Sequence, residues 1–391
     1  YRGDAYVYRY LDASDANPAD GKIELPDTLV DVPLVAPNDF FSPVIDRLSG
    51  NTITGVTVIT HGFQATDGDG DSMLSLAQAI QATYGGWLLD YDLPNDTSVG
   101  RFDIGLLGNS ILPAESSSGQ SGELIILTDW AAGSNRDSNG WAESAADSLL
   151  GMLAGLDVVR LEGNSSNPPL HLIGHSFGTA VTSELAERLL TYQVPIDQVT
   201  YLDPHDFDQT GLPIDGSQQL WTLGSPTGYG ATVWSGVSFT DVYYETRGIG
   251  GGPDLSVPEG RPIPGAFNVL LDTELPDDGF FTDPYSSLTD SDHSYVWNGY
   301  YMATVLPGGL PADEEPAEVP VDYRQTGFAF SRLAGGQALR PQPTFYNPTD
   351  AAGGPAQSHE HTVDGLVDSD GQRLDGSTDM GAGYVRPAPD W

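Results

Sequence analysis

Hydrophobic and polar residues follow two rhythms along the middle of the chain. Short apolar runs, typical of buried strands, are followed by longer stretches in which apolar residues recur every three or four positions, typical of amphipathic helices. The predicted strands are 55–60, 124–127, 170–173, 199–202, 237–244 and 266–271, and the predicted helices are 73–84, 141–157, 178–191 and 294–305. This alternation predicts an α/β fold whose mostly parallel central sheet is flanked by helices.

The two ends of the chain have a different texture. Residues 6–10 and 28–35 read as further strands, which we expect to add to the sheet in antiparallel orientation. From about residue 306 the helical periodicity is lost and proline and glycine become frequent. We therefore predict a main domain over 1–305 and an extension over 306–391, which either wraps irregularly over the main domain or forms a small β appendage.

The charge balance excludes whole classes of partner. The 391 residues carry 55 acidic and 15 basic side chains, a formal net charge of −40. Phosphate backbones and anionic lipid surfaces are bound by clustered Lys and Arg, so we expect no nucleic-acid partner. No apolar run reaches the roughly 18 residues that a membrane span requires, so no transmembrane segment is expected. Hydrophobic residues still make up 39% of the chain, enough to build a core.

Residue usage also indicates a compartment. Cysteine is absent, which excludes disulfides, thiolate metal sites and a cysteine nucleophile. The chain begins at Tyr1, and we expect a secreted protein whose signal peptide has been removed. A surface rich in Asp, with Lys22 as the single lysine, suits a medium with plentiful counterions. A saline-adapted microbe is the expected source.

The sharpest chemical signal is the segment Gly174-His175-Ser176-Phe177-Gly178. It matches the pattern Gly-x-Ser-x-Gly between a buried strand and a helix, the setting of a nucleophile elbow. Ser176 is therefore the candidate nucleophile. The alternative is a tight strand-to-helix turn whose serine caps the helix.

A serine nucleophile needs a base, and the base needs an acid that orients it. Elbow chemistry runs in the chain order serine, acid, histidine, and His293, which follows the last predicted strand, fits the base. Asp203 follows the strand 199–202 and is the favoured acid. Glu245, at the end of the next strand, is the rival.

The oxyanion that forms during acyl transfer needs two hydrogen-bond donors. One candidate is the backbone N–H of Phe177, directly after the nucleophile. The other is the backbone N–H of Phe63, where the segment Thr60-His61-Gly62-Phe63 ends an early strand and Gly62 permits a close approach.

These segments, in this order, resemble the pancreatic-type lipases of the α/β-hydrolase superfamily over about residues 55–305. The resemblance rests on Thr60-His61-Gly62-Phe63, Asp129-Trp130 with Gly133-Ser134, Gly174 to Gly178, and Leu202-Asp203-Pro204. It implies an α/β-hydrolase fold with a catalytic domain over 1–305, a serine esterase or lipase activity, a triad of Ser176, Asp203 and His293, and oxyanion donors at Phe63 and Phe177.

The expected reaction is hydrolysis of a neutral carboxylic ester, lipid-like or polyester-type, through an acyl-enzyme. An acyltransferase with the same triad, or a non-catalytic relative used for binding, are the alternatives. Trp221 and Trp234 are candidates for the acyl site, in a segment that could equally be plain loop packing. The oligomeric state is left open.

No cofactor is required for such a reaction, although one acidic loop could wrap Ca²⁺. Asp67, Asp69 and Asp71 alternate with glycines, as carboxylates do in calcium loops. Ser72 and Gln78 stand where that loop needs glycine and glutamate, which favours a solvated turn before the helix.

Overall fold

The computed structural model describes residues 37–63, 73–93, 101–102, 119–134, 141–161, 166–205, 231–234, 236–245, 260–263, 266–271, 292–306 and 326–341. Within them the strands form one sheet of eight, in the order β3-β2-β4-β1-β5-β6-β7-β8. The strands are β1 Thr52–Thr60, β2 Trp87–Asp92, β3 Arg101–Phe102, β4 Ser121–Asp129, β5 Leu170–His175, β6 Gln198–Leu202, β7 Thr240–Tyr244 and β8 Phe267–Leu270. All neighbours pair in parallel except β2 and β3.

Helices connect the parallel strands and cover the sheet. They are α1 Pro37–Leu48, α2 Leu74–Tyr84, α3 Ala131–Ser134, α4 Trp141–Gly155, α5 Gly178–Thr191, α6 Asp292–Tyr295 and α7 Met302–Val305, with a π-helical stretch Val296–Tyr301 joining the last two. The central strands are buried along almost their whole length, as apolar strands between two helical layers must be. This is an α/β-hydrolase fold, and the prediction of its fold class is confirmed.

Some elements differ from the prediction. Strand β2 and helix α1 were not predicted, because Asp90 and Asp92 interrupt the apolar run of β2 and Pro43 lies inside α1. The predicted strand 237–244 is shorter, beginning at Thr240. The predicted antiparallel strands 6–10 and 28–35 lie outside the described residues, and the antiparallel strand of the described sheet is β3.

Part of the predicted C-terminal extension packs on the main sheet. Residues 326–341 form two short 3-10 turns, and Phe328 is fully buried against the rings of Tyr84, His171 and Tyr301. Two guanidinium groups hold this segment near the amino ends of the strands: Arg332 pairs with Glu123 and Arg340 with Asp197, each at 2.7 Å. The division of the chain at residue 305 stays a prediction. None of the helices in the described part of the chain combines the length and apolarity of a membrane span.

Candidate active site

The turn between β5 and α5 holds Ser176 in a strained backbone conformation. Its φ is 55°, in the left-handed region that costs a residue with a Cβ roughly 1–2 kcal/mol. Hydrogen bonds on both sides hold the turn: Ser176 N donates to Leu202 O at 2.9 Å, and Thr179 Oγ1 donates to Ser176 O at 2.6 Å. Strain held in this way is typical of functional positions and presents the side chain at the carboxyl edge of the sheet.

Glycines let three segments meet around this serine. A Cβ on Gly62 would lie 2.4 Å from Ser176 Cβ and 2.9 Å from its Oγ. A Cβ on Gly178 would lie 2.3 Å from His61 O, and one on Gly174 would lie 2.4 Å from Thr182 Oγ1. The end of β1, the elbow and the start of α5 therefore pack backbone to backbone, an approach that only glycine allows.

Asp203 follows β6 as Ser176 follows β5, again with positive φ, 45°. Its N–H donates to Tyr243 O at 2.7 Å, and its Oδ1 accepts the N–H of Glu245 at 2.8 Å. Its Oδ2 accepts a 2.5 Å hydrogen bond from His293 Nδ1. The backbone of Gly260 covers the carboxylate so closely that a Cβ there would lie 2.0 Å from Oδ1. Asp203 is fully buried and directed at one imidazole.

His293 lies against the histidine of the elbow. His175 Nε2 donates to His293 O at 3.0 Å, and the two rings lie 4.5 Å apart. The backbone N–H of His205 donates to Ser176 O at 3.4 Å, and the His205 ring lies 5.9 Å from the His293 ring. The three candidates Ser176, Asp203 and His293 thus converge at one edge of the sheet.

Burial sets the protonation of the histidines. It lowers the pKa of His175 well below its ordinary value, with the neighbouring His293 acting in the same direction. It also lowers the pKa of His293, while the Asp203 carboxylate favours the charged ring and opposes the shift. A carboxylate only accepts hydrogen bonds, so Nδ1 of a neutral His293 carries the proton and Nε2 keeps a lone pair. A base for a hydroxyl proton requires that tautomer.

Glu245 lies beside this pair. A ligand atom from each of Asp203, Glu245 and His293 falls within 4.8 Å of the others, and all three side chains are buried. These three side chains are the cluster, among the described residues, whose ligand atoms lie close enough together to hold a metal ion. The carboxylate that receives the imidazole hydrogen bond, however, is that of Asp203.

The loop after β1 is held by Trp130, which follows β4. Its backbone N–H donates to His61 Nε2 at 3.0 Å, and its indole N–H donates to His61 O at 2.6 Å. His61 Nδ1 lies 2.7 Å from Gly62 O, and the indole ring lies 5.1 Å from the ring of Phe177. Sequence reasoning assigned no role to Trp130, although its position directly after a strand end was a usable signal.

Trp234, a candidate for the acyl site, packs in the interior of the protein. Trp234 is buried, and its indole N–H donates to Ser183 Oγ on α5 at 3.0 Å, a contact of the packed interior. Its part in substrate binding stays a prediction. Trp221, Asp67, Asp69 and Asp71 lie outside the described residues.

The similarities of this chain to known proteins are distant. No family model and no curated protein matches the chain. Among solved structures, the chain is similar to a protein from Lactobacillus plantarum named as a cell surface hydrolase, with 14% identity, a TM-score of 0.33, and coverage of 53% of this chain and 73% of that one. It is also similar to a gene product from Listeria innocua, with 13% identity, a TM-score of 0.30, and coverage of 50% and 70%. The resemblance to pancreatic-type lipases in particular stays a prediction.

The close approach of Gly62 to Ser176 yields a test. Gly62→Ala places a Cβ where Ser176 Cβ and Oγ stand, so the elbow or the loop must shift. Since a displacement of about 1 Å can cost on the order of 10²-fold in rate, we expect at least that loss of kcat in any reaction that uses Ser176. Initial rates on a p-nitrophenyl ester measure it.

The matched control is Gly151→Ala in helix α4, where an added Cβ meets nothing within 4 Å. This change should leave kcat unaltered and raise helix stability by roughly 0.5–1 kcal/mol. Equal activity in the two variants would contradict the packing described for Gly62.

Proposed function

We propose that this protein is a serine carboxylic-ester hydrolase that works through Ser176, His293 and Asp203. The observation that carries the proposal is the meeting, at one sheet edge, of a strained serine and a buried histidine–aspartate pair. A serine in a strand-to-helix turn, a neutral imidazole and a carboxylate bonded to its far nitrogen are the parts that acyl transfer to serine requires.

In the proposed reaction Ser176 Oγ attacks the ester carbonyl carbon while His293 Nε2 takes the hydroxyl proton. The tetrahedral intermediate collapses, the bond to the alcohol oxygen breaks, and His293 returns the proton to that oxygen. Water then repeats the sequence on the acyl-enzyme and releases the acid. Asp203 holds the imidazole in the tautomer that accepts the proton and stabilises its charged form.

The negative charge on the carbonyl oxygen would be received by the N–H groups of Phe63 and Phe177. Phe177 precedes the first residue of α5, and the dipole of that helix favours negative charge near its amino end. Phe63 follows Gly62, whose Cα stands against the Ser176 side chain. Donors fixed in a buried turn need little reorganisation when the charge appears.

The substrate class follows from charge. A chain with a formal charge of −40 repels anionic surfaces, so neutral esters, lipid-like or polyester-type, are the proposed substrates. Secretion and adaptation to salt belong to the same proposal, since an acidic surface stays soluble where counterions are abundant. Calcium binding by Asp67, Asp69 and Asp71 stays the alternative to the solvated turn that the sequence favours.

The first test compares the wild type with Ser176→Ala on an ester panel. The panel contains p-nitrophenyl esters of increasing chain length, a triglyceride, a polyester film and an anionic phospholipid. Removing the nucleophile should lower kcat by at least about 10⁴-fold on every substrate that the wild type cleaves. Initial rates, with melting temperatures to verify folding, provide the measurement.

Three outcomes decide between the candidates. Equal turnover in wild type and Ser176→Ala would overturn the proposal, and absence of turnover in both would favour a binding protein. Preferential formation of a new ester when an alcohol competes with water would indicate an acyltransferase. Preference for the anionic phospholipid would contradict the charge argument.

A second test separates Asp203 from Glu245. Asp203→Asn removes the carboxylate that fixes the His293 tautomer, and we expect kcat to fall by about 10⁴-fold. Residual activity falls on acidification when His293 becomes protonated. In Asp203→Asn this fall should occur at a lower pH than in the wild type, because the neutral amide no longer raises the pKa of the imidazole. Glu245→Gln, equally buried, should change kcat by less than about tenfold. The reverse ranking would make Glu245 the acid.

A further inference from the structure

His61 is buried beside the elbow, yet the proposed reaction gives it no part. Its two ring nitrogens both have backbone partners: Trp130 N–H at 3.0 Å from Nε2, and Gly62 O at 2.7 Å from Nδ1. A backbone N–H only donates and a carbonyl only accepts. The ring must therefore be neutral, with its lone pair on Nε2 and its proton on Nδ1.

The neighbouring carboxylate lies farther from the ring than the Trp130 N–H and is already bonded elsewhere. Asp129 Oδ1 is 3.4 Å from His61 Nε2, against 3.0 Å for Trp130 N, and it accepts the N–H of Ala131 at 2.8 Å at the start of α3. The first turn of α3 also holds Trp130, since the N–H groups of Gly133 and Ser134 donate to Trp130 O. The donor that selects the tautomer is thus fixed by its own strand end and helix.

The tautomer has a consequence for the next peptide. The Nδ1 proton of His61 holds Gly62 O, and the peptide bond between Gly62 and Phe63 is planar and trans. In such a peptide the C=O and the N–H point in opposite directions. Fixing Gly62 O on the side of His61 therefore directs the N–H of Phe63 away from His61, in a segment whose Gly62 abuts the Ser176 side chain.

We infer that His61 is a positioning residue that aims the Phe63 N–H at the oxyanion, with its Nδ1–H tautomer selected by the Trp130 N–H. The inference rests on the proposed function for its catalytic meaning. Trp130 contacts the segments of both proposed oxyanion donors, Phe63 and Phe177. Its ring packs against Phe177, and its indole N–H donates to His61 O. His61 acts through Gly62 and Phe63 and does not touch the substrate.

The test uses two variants of the same residue. His61→Leu removes both ring nitrogens, and we expect kcat on a p-nitrophenyl ester to fall by about 10²-fold, the loss typical of one oxyanion donor. KM should stay within about threefold, since only the transition state loses an interaction. Binding of an alkylboronic acid, which forms a tetrahedral adduct with a serine, should weaken in parallel with kcat. His61→Asn keeps a donor at the position of Nδ1 and should restore kcat to within about tenfold of the wild type.

Melting temperature and kcat should change independently in these variants. This difference separates a residue that positions the donor from one that only supports the fold. His61→Asn leaves the buried Trp130 N–H without its acceptor, so it should melt below the wild type although it is active. His171→Leu is the matched control, because His171 is a buried histidine on β5 bonded to Thr200 Oγ1 and lies at the other end of that strand. It should lower the melting temperature and leave kcat unchanged.

The tautomer of His61 can be measured directly in the wild-type protein. Nitrogen-15 NMR of histidine-labelled wild type, with the His61 signals identified by their absence in His61→Asn, should show a protonated Nδ1 and an unprotonated Nε2 at neutral pH. The opposite tautomer or a doubly protonated ring would overturn the inference, as would His61→Leu with wild-type kcat. If Ser176→Ala also hydrolysed esters normally, the proposed function would fail, whereas the tautomer measurement would stand on its own.

Discussion

The candidate site depends on the last hydrogen bond of the parallel ladder at two adjacent strand ends. Ser176 N bonds to Leu202 O and Asp203 N bonds to Tyr243 O, one step beyond β5 and β6. Each bond holds the first residue after the strand, Ser176 or Asp203, at a positive φ. The backbone therefore turns sharply out of the sheet at both places. A parallel sheet places these turns side by side, which brings serine and aspartate to the same edge.

Much of this could be predicted from the sequence, for physical reasons. The apolar runs of β1, β4, β5 and β6 lie between helices of clear periodicity, so the α/β order was readable. The elbow pattern predicted Ser176, and chain order predicted Asp203 and His293, which the structure brings together. Their roles in catalysis stay predictions.

The rest depends on contacts between distant segments, which no local pattern contains. Strand β2 carries the buried Asp90 and so lacks the usual apolar signature. The arrangement of His61 and Trp130 joins residues 69 positions apart. Phe328 fills the face of the sheet beside His171 from a stretch that reads as irregular. Proline and glycine content describes the local chain of that stretch but not its packing.

The central claim is that Ser176 is a nucleophile activated by its surroundings. Incubation with a fluorophosphonate, followed by mass spectrometry of the intact chain and its peptides, tests this most directly, because the reagent labels serines that are deprotonated by an adjacent base. We expect one adduct per chain, on Ser176, formed in parallel with loss of esterase activity and absent in Asp203→Asn over the same time. Labelling of another serine with loss of activity, or full esterase activity in a chain labelled at Ser176, would contradict it.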